Sequence, residues 1–461
     1  MGHSFLVARM LRVGLAAALV FPGVGCASTP VRDALRAART GDRAALAPAI
    51  AAADARGRLT LGEASDLARA VVRREIESAS DVVYAVARIR DVRACAFQVD
   101  DVLEARMGVE DAAGGEAAFE RAETGAFGGT AARRHATSSD DRWRAAAMWA
   151  RTRDDDHDAR ARGLTDGSPL VRRAALHAMQ EHDDPADADA LFGAARLDPD
   201  PLVRSTALRA LSRMRGGPPD LANRLRDLWT AADGALRTDI ALAFTSRAVF
   251  ESGGREALSY LLGASNEGDT VGVAGAILRA RVDDASLHGA ALAHLRAAMA
   301  GGGQRARVYA IAVAPLQSQR GGAGSGAETK ALLEALRGAS HSEDLDVRLA
   351  ALGRLSDTRG GAPKGDRDSA IAALESIAAP REIPSTHASR ARLLLAEAGD
   401  ARVQAWLEAD LKSAEADARL SAAGALAALG RATRAAPLLA DPDPEVRTRA
   451  ACTILLSARL R

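Results

Sequence analysis

The sequence predicts an all-α protein, a right-handed α-solenoid built from stacked helical hairpins. A short motif recurs along the chain: an apolar residue, then Arg, then small residues. Its arginine-equivalent positions, spaced 28 to 42 residues apart, are 144, 172, 204, 237, 272, 307, 348, 390, 419 and 447. Within each copy, apolar and alanine residues recur at steps of three and four, which is the period of a helix with one buried face. One helical pair cannot bury that face alone, so neighbouring pairs must stack.

The first element is an export signal over residues 1–25. Two arginines precede nine apolar residues, Val13 to Phe21, and this stretch is too short to span a membrane. The segment ends in Gly23-Val24-Gly25-Cys26 and so resembles the lipobox of bacterial lipoproteins. The resemblance implies acylation of Cys26 and, because Ala27-Ser28 follow without an aspartate, sorting to the outer membrane. The alternative is a plain secreted protein in which Cys26 is incidental.

Residues 26–107 are predicted to form an irregular N-terminal helical segment. Thr60-Leu61-Gly62-Glu63 is a capping box, in which threonine and glutamate satisfy each other's backbone N–H groups at a helix start. Residues 108–139 contain Gly114-Gly115 and Gly128-Gly129, and their glycine and serine content predicts a linker. The solenoid itself is predicted over residues 140–461.

The composition excludes several classes of function. The 61 basic residues balance 60 acidic ones, so no overall field attracts nucleic acid or anionic lipid. Only 3% of residues are aromatic, fewer than the large core of a typical enzyme of this size contains. The cysteines are Cys26, Cys95 and Cys452. With Cys26 acylated, the other two lie near opposite ends of the mature chain, and no disulfide framework is expected.

Acidic turns precede most copies of the motif, as in Asp198-Pro199-Asp200-Pro201, where aspartate caps a helix and proline fits its first turn. An acidic turn followed by Val-Arg-x-x-Ala resembles HEAT repeats, and the shorter units resemble the HEAT-like class named after phycobilin lyases. The resemblance implies a ladder of aspartates and arginines that ties adjacent repeats together. The matching positions are Asp166, Arg172, Asp198, Arg204, Asp344, Arg348, Asp441 and Arg447.

The sequence lacks the common motifs that carry catalytic or phosphate-binding chemistry. The chain has no phosphate-binding loop, no Gly-x-Ser-x-Gly and no His-Glu-x-x-His. Deoxyhypusine hydroxylase, an enzyme built on HEAT-like repeats, uses His-Glu pairs, and this sequence contains none. The run Asp154-Asp155-Asp156-His157-Asp158 offers oxygen ligands for a divalent cation but lacks the spacing and glycine of a calcium loop. We therefore predict no catalytic residue, no cofactor and no metal site.

The predicted function is a non-enzymatic scaffold, tethered by lipid to the outer membrane on its periplasmic face or at the cell surface. It would present an extended, curved face to a protein partner. Neither nucleic acid nor a small-molecule substrate is expected. A candidate binding strip comprises Arg173, His177, Ser205 and Arg209. Two alternatives remain: an enzyme of the HEAT-like lyase or hydroxylase type, and a structural spacer without a specific ligand.

Overall fold

A computed structural model describes residues 29–55, 59–150, 157–264, 266–316, 325–379 and 385–459. Within these ranges every regular element is helical, which confirms the all-α prediction. The α-helices are α1 (Thr29–Thr40), α2 (Arg43–Ala55), α3 (Leu61–Glu77), α4 (Val82–Asp91), α5 (Asp100–Met107), α6 (Ala112–Glu123), α7 (Gly129–Arg134), α8 (Asp141–Trp149), α9 (His157–Gly163), α10 (Pro169–His182), α11 (Ala188–Leu197), α12 (Pro201–Leu211), α13 (Leu221–Ala231), α14 (Gly234–Phe244), α15 (Arg247–Val249), α16 (Arg255–Ala264), α17 (Glu267–Ala280), α18 (Ala285–Gly301), α19 (Gln304–Val313), α20 (Ser325–Ala339), α21 (Leu345–Ser356), α22 (Lys364–Ala378), α23 (Ser385–Glu397), α24 (Gln404–Asp410), α25 (Ala416–Ala428) and α26 (Pro444–Arg459). Short helical turns at Arg93–Gln98, Pro185–Asp187, Phe250–Gly254, Ala401–Val403 and Ala432–Ala440 connect some of them.

The predicted helix starts are explained by their caps. At the start of α12 the Asp200 carboxylate accepts hydrogen bonds from the backbone N–H groups of Leu202 and Val203, at 2.8 and 2.9 Å. Pro201 occupies the first turn, where its missing N–H costs nothing. At Thr60 both hydrogen bonds of the predicted capping box form.

The helices that carry the recurring motif form one layer, which we call the inner layer. It runs through α8, α10, α12, α14, α17, α19, α21, α23, α25 and α26, and each helix packs on the next. Helices of the second layer, apart from α18 and α20, contact their own neighbours less extensively. Successive helices lie closer together on the concave side of a curved stack, so the inner layer is the concave one.

The predicted linker at 108–139 is wrong, because α6 lies within it and is buried between α4 and α8. Two of the glycines that suggested a linker are needed for this packing. A Cβ on Gly114 would lie 1.9 Å from the carbonyl oxygen of Val109, and one on Gly115 would lie 3.0 Å from Cβ of Arg142. The N-terminal helices therefore continue the inner layer without a break.

The two ends of the helical array meet. Helix α26 packs along α3, and the turn Ala432–Ala440 packs on α2 and α3. We call this contact the closure interface. Ile76, Ile89 and Leu103 share one buried apolar cluster with Ile454 and Leu455. The extended shape expected from the sequence is thus replaced by a closed ring of helices.

A disulfide lies in the closure interface. It joins Cys95 to Cys452, whose Cα atoms are 5.5 Å apart and whose positions are separated by 357 residues. Both side chains are buried. No disulfide was expected from the sequence, but ring closure brings together these two residues, which are distant in the chain.

Candidate functional site

Bidentate ion pairs between successive inner helices form a regular ladder. The guanidinium of Arg144 binds the Asp166 carboxylate at 2.8 and 2.9 Å. Arg172 binds Asp198 at 2.7 and 2.9 Å. Arg419 binds Asp441 at 2.8 and 3.0 Å. Planar guanidinium groups suit such paired contacts and fix the spacing of adjacent repeats.

Arginines at the motif position also bind the turn that precedes their own helix. Nη1 of Arg172 donates to the carbonyl oxygens of Asp166 and Gly167, at 2.9 and 3.2 Å. Arg204 donates in the same way to Asp198 and Pro199, and Arg348 donates to the carbonyl of Ser342. The carboxylate of Asp344 caps α21. These positions therefore stabilise turns and helix starts.

The last ladder arginine closes the ring. Arg447 lies 2.7 Å from a carboxylate oxygen of Glu75, on α3, and its Nη1 donates to the carbonyl of Asp441 at 2.6 Å. Tyr84 donates its hydroxyl to Glu75, and burial with this hydrogen bond raises the pKa of Tyr84 to about 12. Glu75 belongs to no motif, so no sequence pattern indicates this pairing.

The electrostatics of the ladder indicate a structural role. The hydrogen bonds from Arg144 hold the pKa of Asp166 below its ordinary value. The hydrogen bond to Asp198 raises the pKa of Arg172 in turn. Both groups therefore stay charged over the whole neutral range, and neither is suited to donate or accept a proton in catalysis.

Three residues of the candidate strip, Ser205, Arg209 and His177, contact neighbouring helices. Ser205 donates its hydroxyl to Asp239 on the next inner helix, and Arg209 lies 3.3 Å from the same carboxylate. The His177 ring stacks on Trp149 with centroids 3.7 Å apart, and burial lowers its pKa, so it is neutral at pH 7. Arg173 lies half-buried on α10. Ser205, His177 and Arg209 thus contact neighbouring inner helices, although the Arg209 side chain stays 63% exposed.

A groove elsewhere on the inner layer offers a larger surface. It has a volume of about 620 Å³ and crosses α19, α21, α23 and the end of α25. Its floor includes Ile311, Leu349 and Leu394, with small residues such as Ala312 and Ala350 between them. An apolar floor that spans consecutive repeats is the kind of surface on which a protein segment packs.

Charged side chains line the rim of this groove. Arg354, Arg359 and Arg390 outnumber the acids Asp357 and Glu397, so the rim carries a net positive charge. No sequence signal marked the groove, because its residues come from four repeats and share no motif.

The acidic run only partly falls within the described residues, since 154–156 lie outside them. His157 begins α9, and its Nδ1 lies 2.7 Å from a carboxylate oxygen of Asp187. Cys26 and the export signal also lie outside the described residues.

Residues 157–245 match the family model of HEAT repeats. The match includes the ladder pair Arg172–Asp198, and the stacked helical pairs extend the same HEAT-like architecture to either side. No curated protein is similar enough to the chain to count as a relative. Among the described residues, no helix has both the length and the apolarity that a membrane span requires.

Several solved structures are similar at low identity. An engineered protein is 18% identical, covering 80% of this chain and 99% of its own, with a TM-score of 0.28. The Escherichia coli protein YIBA is 13% identical, covering 61% of this chain and 94% of its own, with a TM-score of 0.33. Kap121p bound to Nup53p is 15% identical, covering 87% of this chain and 49% of its own, also with a TM-score of 0.33. None of these similarities bears on function.

Proposed function

We propose that the protein is a lipid-tethered scaffold of the cell envelope that binds a protein partner in the groove on its inner layer. The observation that carries the proposal is the groove itself, which combines an apolar floor with a net basic rim. A segment with apolar side chains and nearby acidic residues would complement both features. HEAT-like solenoids bury their own apolar stripes by stacking, which leaves the concave face available for partners.

Two features support the envelope location. The first is the export signal with its lipobox-like end at Cys26. The second is the disulfide between Cys95 and Cys452, because disulfides persist in oxidising compartments such as the bacterial periplasm and are rare in the cytosol.

Filling the groove tests the binding site. Ala312 is exposed on α19 and lines the groove, so Ala312→Trp would occupy it without entering the core. We expect this variant to lose envelope proteins that the wild type captures by crosslinking in intact cells. Capture should also weaken at high salt, since the rim is charged.

Ala235→Trp is the matched control, because Ala235 is an exposed alanine in the first turn of inner-layer helix α14, outside the groove. It should capture the same proteins as the wild type. Equal capture by both tryptophan variants would contradict binding in the groove. If the wild type captures no protein specifically, the result favours the alternative of a structural spacer without a specific ligand.

Replacing Cys26 tests the tether. Cys26→Ser should move the protein from the membrane fraction to the soluble periplasm or trap its precursor, since the acyl chains on that cysteine supply the anchoring energy. Mass spectrometry of the wild-type N-terminus should show the acyl mass. A wild type that is already soluble and unacylated would refute lipidation and leave the groove proposal intact.

A further inference from the structure

One imidazole and two carboxylates lie close together at the N-terminus of α9. They belong to His157, Asp184 and Asp187, and one ligand atom from each lies within 4.8 Å of the others. His157 begins α9, whereas Asp184 caps the turn Pro185–Asp187 that leads into α11 and Asp187 is the last residue of that turn. From these groups we propose a site for one divalent transition-metal ion, with Zn²⁺ as the best fit.

The burial of Asp187 favours a cation. This side chain is fully buried, and a buried carboxylate needs compensating positive charge. One oxygen accepts a hydrogen bond from Nε of Arg160 at 3.3 Å. The other, Oδ1, forms no hydrogen bond and faces His157 Nδ1, which also forms none.

This arrangement is typical of a ligand set. Two buried atoms that can each donate a lone pair lie 2.7 Å apart without a hydrogen bond, and a cation bound by both would satisfy them. Asp184 supplies a third ligand from the partly exposed rim, so the ion has a route from solvent. Arg160 binds the outer oxygen of Asp187 and would hold that carboxylate in position.

The ligand types select the metal. Mg²⁺ and Ca²⁺ prefer sites composed only of oxygen, whereas an imidazole with two carboxylates suits Zn²⁺, which takes three protein ligands and a water. Bonds of about 2.0–2.2 Å require small rotations of the three side chains toward a common centre. The bound ion would join α9 to the turn before α11, and this role is independent of the groove.

The test is titration of the purified full chain, stripped with chelator, with Zn²⁺ alone by calorimetry. We expect one ion per chain in the wild type and little response to Mg²⁺ or Ca²⁺. Loss of a residue that only supports a metal ligand weakens metal affinity by roughly 10–100-fold. His157→Ala and Asp184→Asn each remove a direct ligand, so we expect Zn²⁺ affinity to fall by at least that factor.

His341→Ala is the control, since His341 is exposed and remote in sequence from the cluster. It should bind Zn²⁺ like the wild type. Circular dichroism checks that each variant is folded, and Asp184→Asn keeps the test decisive if His157→Ala fails to fold. The proposal would be overturned if the wild type does not bind Zn²⁺, or if the folded Asp184→Asn variant binds it equally well. Asp187 would then be explained by its ion pair with Arg160 alone.

Discussion

Replacing both Cys95 and Cys452 by serine is expected to lower the free energy of unfolding by about 2–5 kcal/mol. The disulfide links positions 357 residues apart, and a cross-link over so long a segment restricts the unfolded chain strongly. Because the bond joins the turn Arg93–Gln98 to α26, its loss should loosen the contact between these two elements first. Denaturant unfolding followed by circular dichroism measures the effect.

The reduced wild type provides the control for this double replacement. Dithiothreitol should destabilise the wild type by a similar amount and leave the double variant unchanged. If reduction does not shift the unfolding midpoint of the wild type, the disulfide does not stabilise the ring.

The second large effect is expected for Gly114→Ala, which should destabilise the protein by about 3 kcal/mol. Alanine normally stabilises a helix relative to glycine by up to about 1 kcal/mol. Here the added Cβ would lie 1.9 Å from the carbonyl oxygen of Val109, so the backbone must shift. Thermal or denaturant unfolding measures the change.

Gly424→Ala is the matched control. Gly424 lies inside α25, and a Cβ there would meet no atom within 4 Å. This substitution should leave stability unchanged or raise it by up to about 1 kcal/mol. Equal behaviour of the two variants would show that α6 does not pack on the segment at Val109 as described.

Local signals allowed much of the fold to be predicted. Aspartate caps, proline in the first turn and the Val-Arg motif act within one repeat, so Asp198, Asp200 and Arg172 could be interpreted without knowledge of distant residues. Gly114 was misinterpreted because a glycine in a loop and a glycine at a close helix contact look the same in sequence.

The closure and the groove depend on residues that are distant in the chain. Glu75 acquires its role only when Arg447 arrives from the other end of the chain. The groove likewise combines side chains from α19, α21, α23 and α25, none of which is distinctive alone. A period along one chain indicates how neighbours stack but not whether the first and last units meet.

The closed ring restricts how this protein could change in evolution. An open solenoid can gain or lose a unit by duplication or deletion, because every repeat contacts only its neighbours. Here an added or deleted unit would separate Arg447 from Glu75 and Cys95 from Cys452, or force them past each other. The number of repeats is therefore fixed by geometry, and insertions should be tolerated only in the loops between helices.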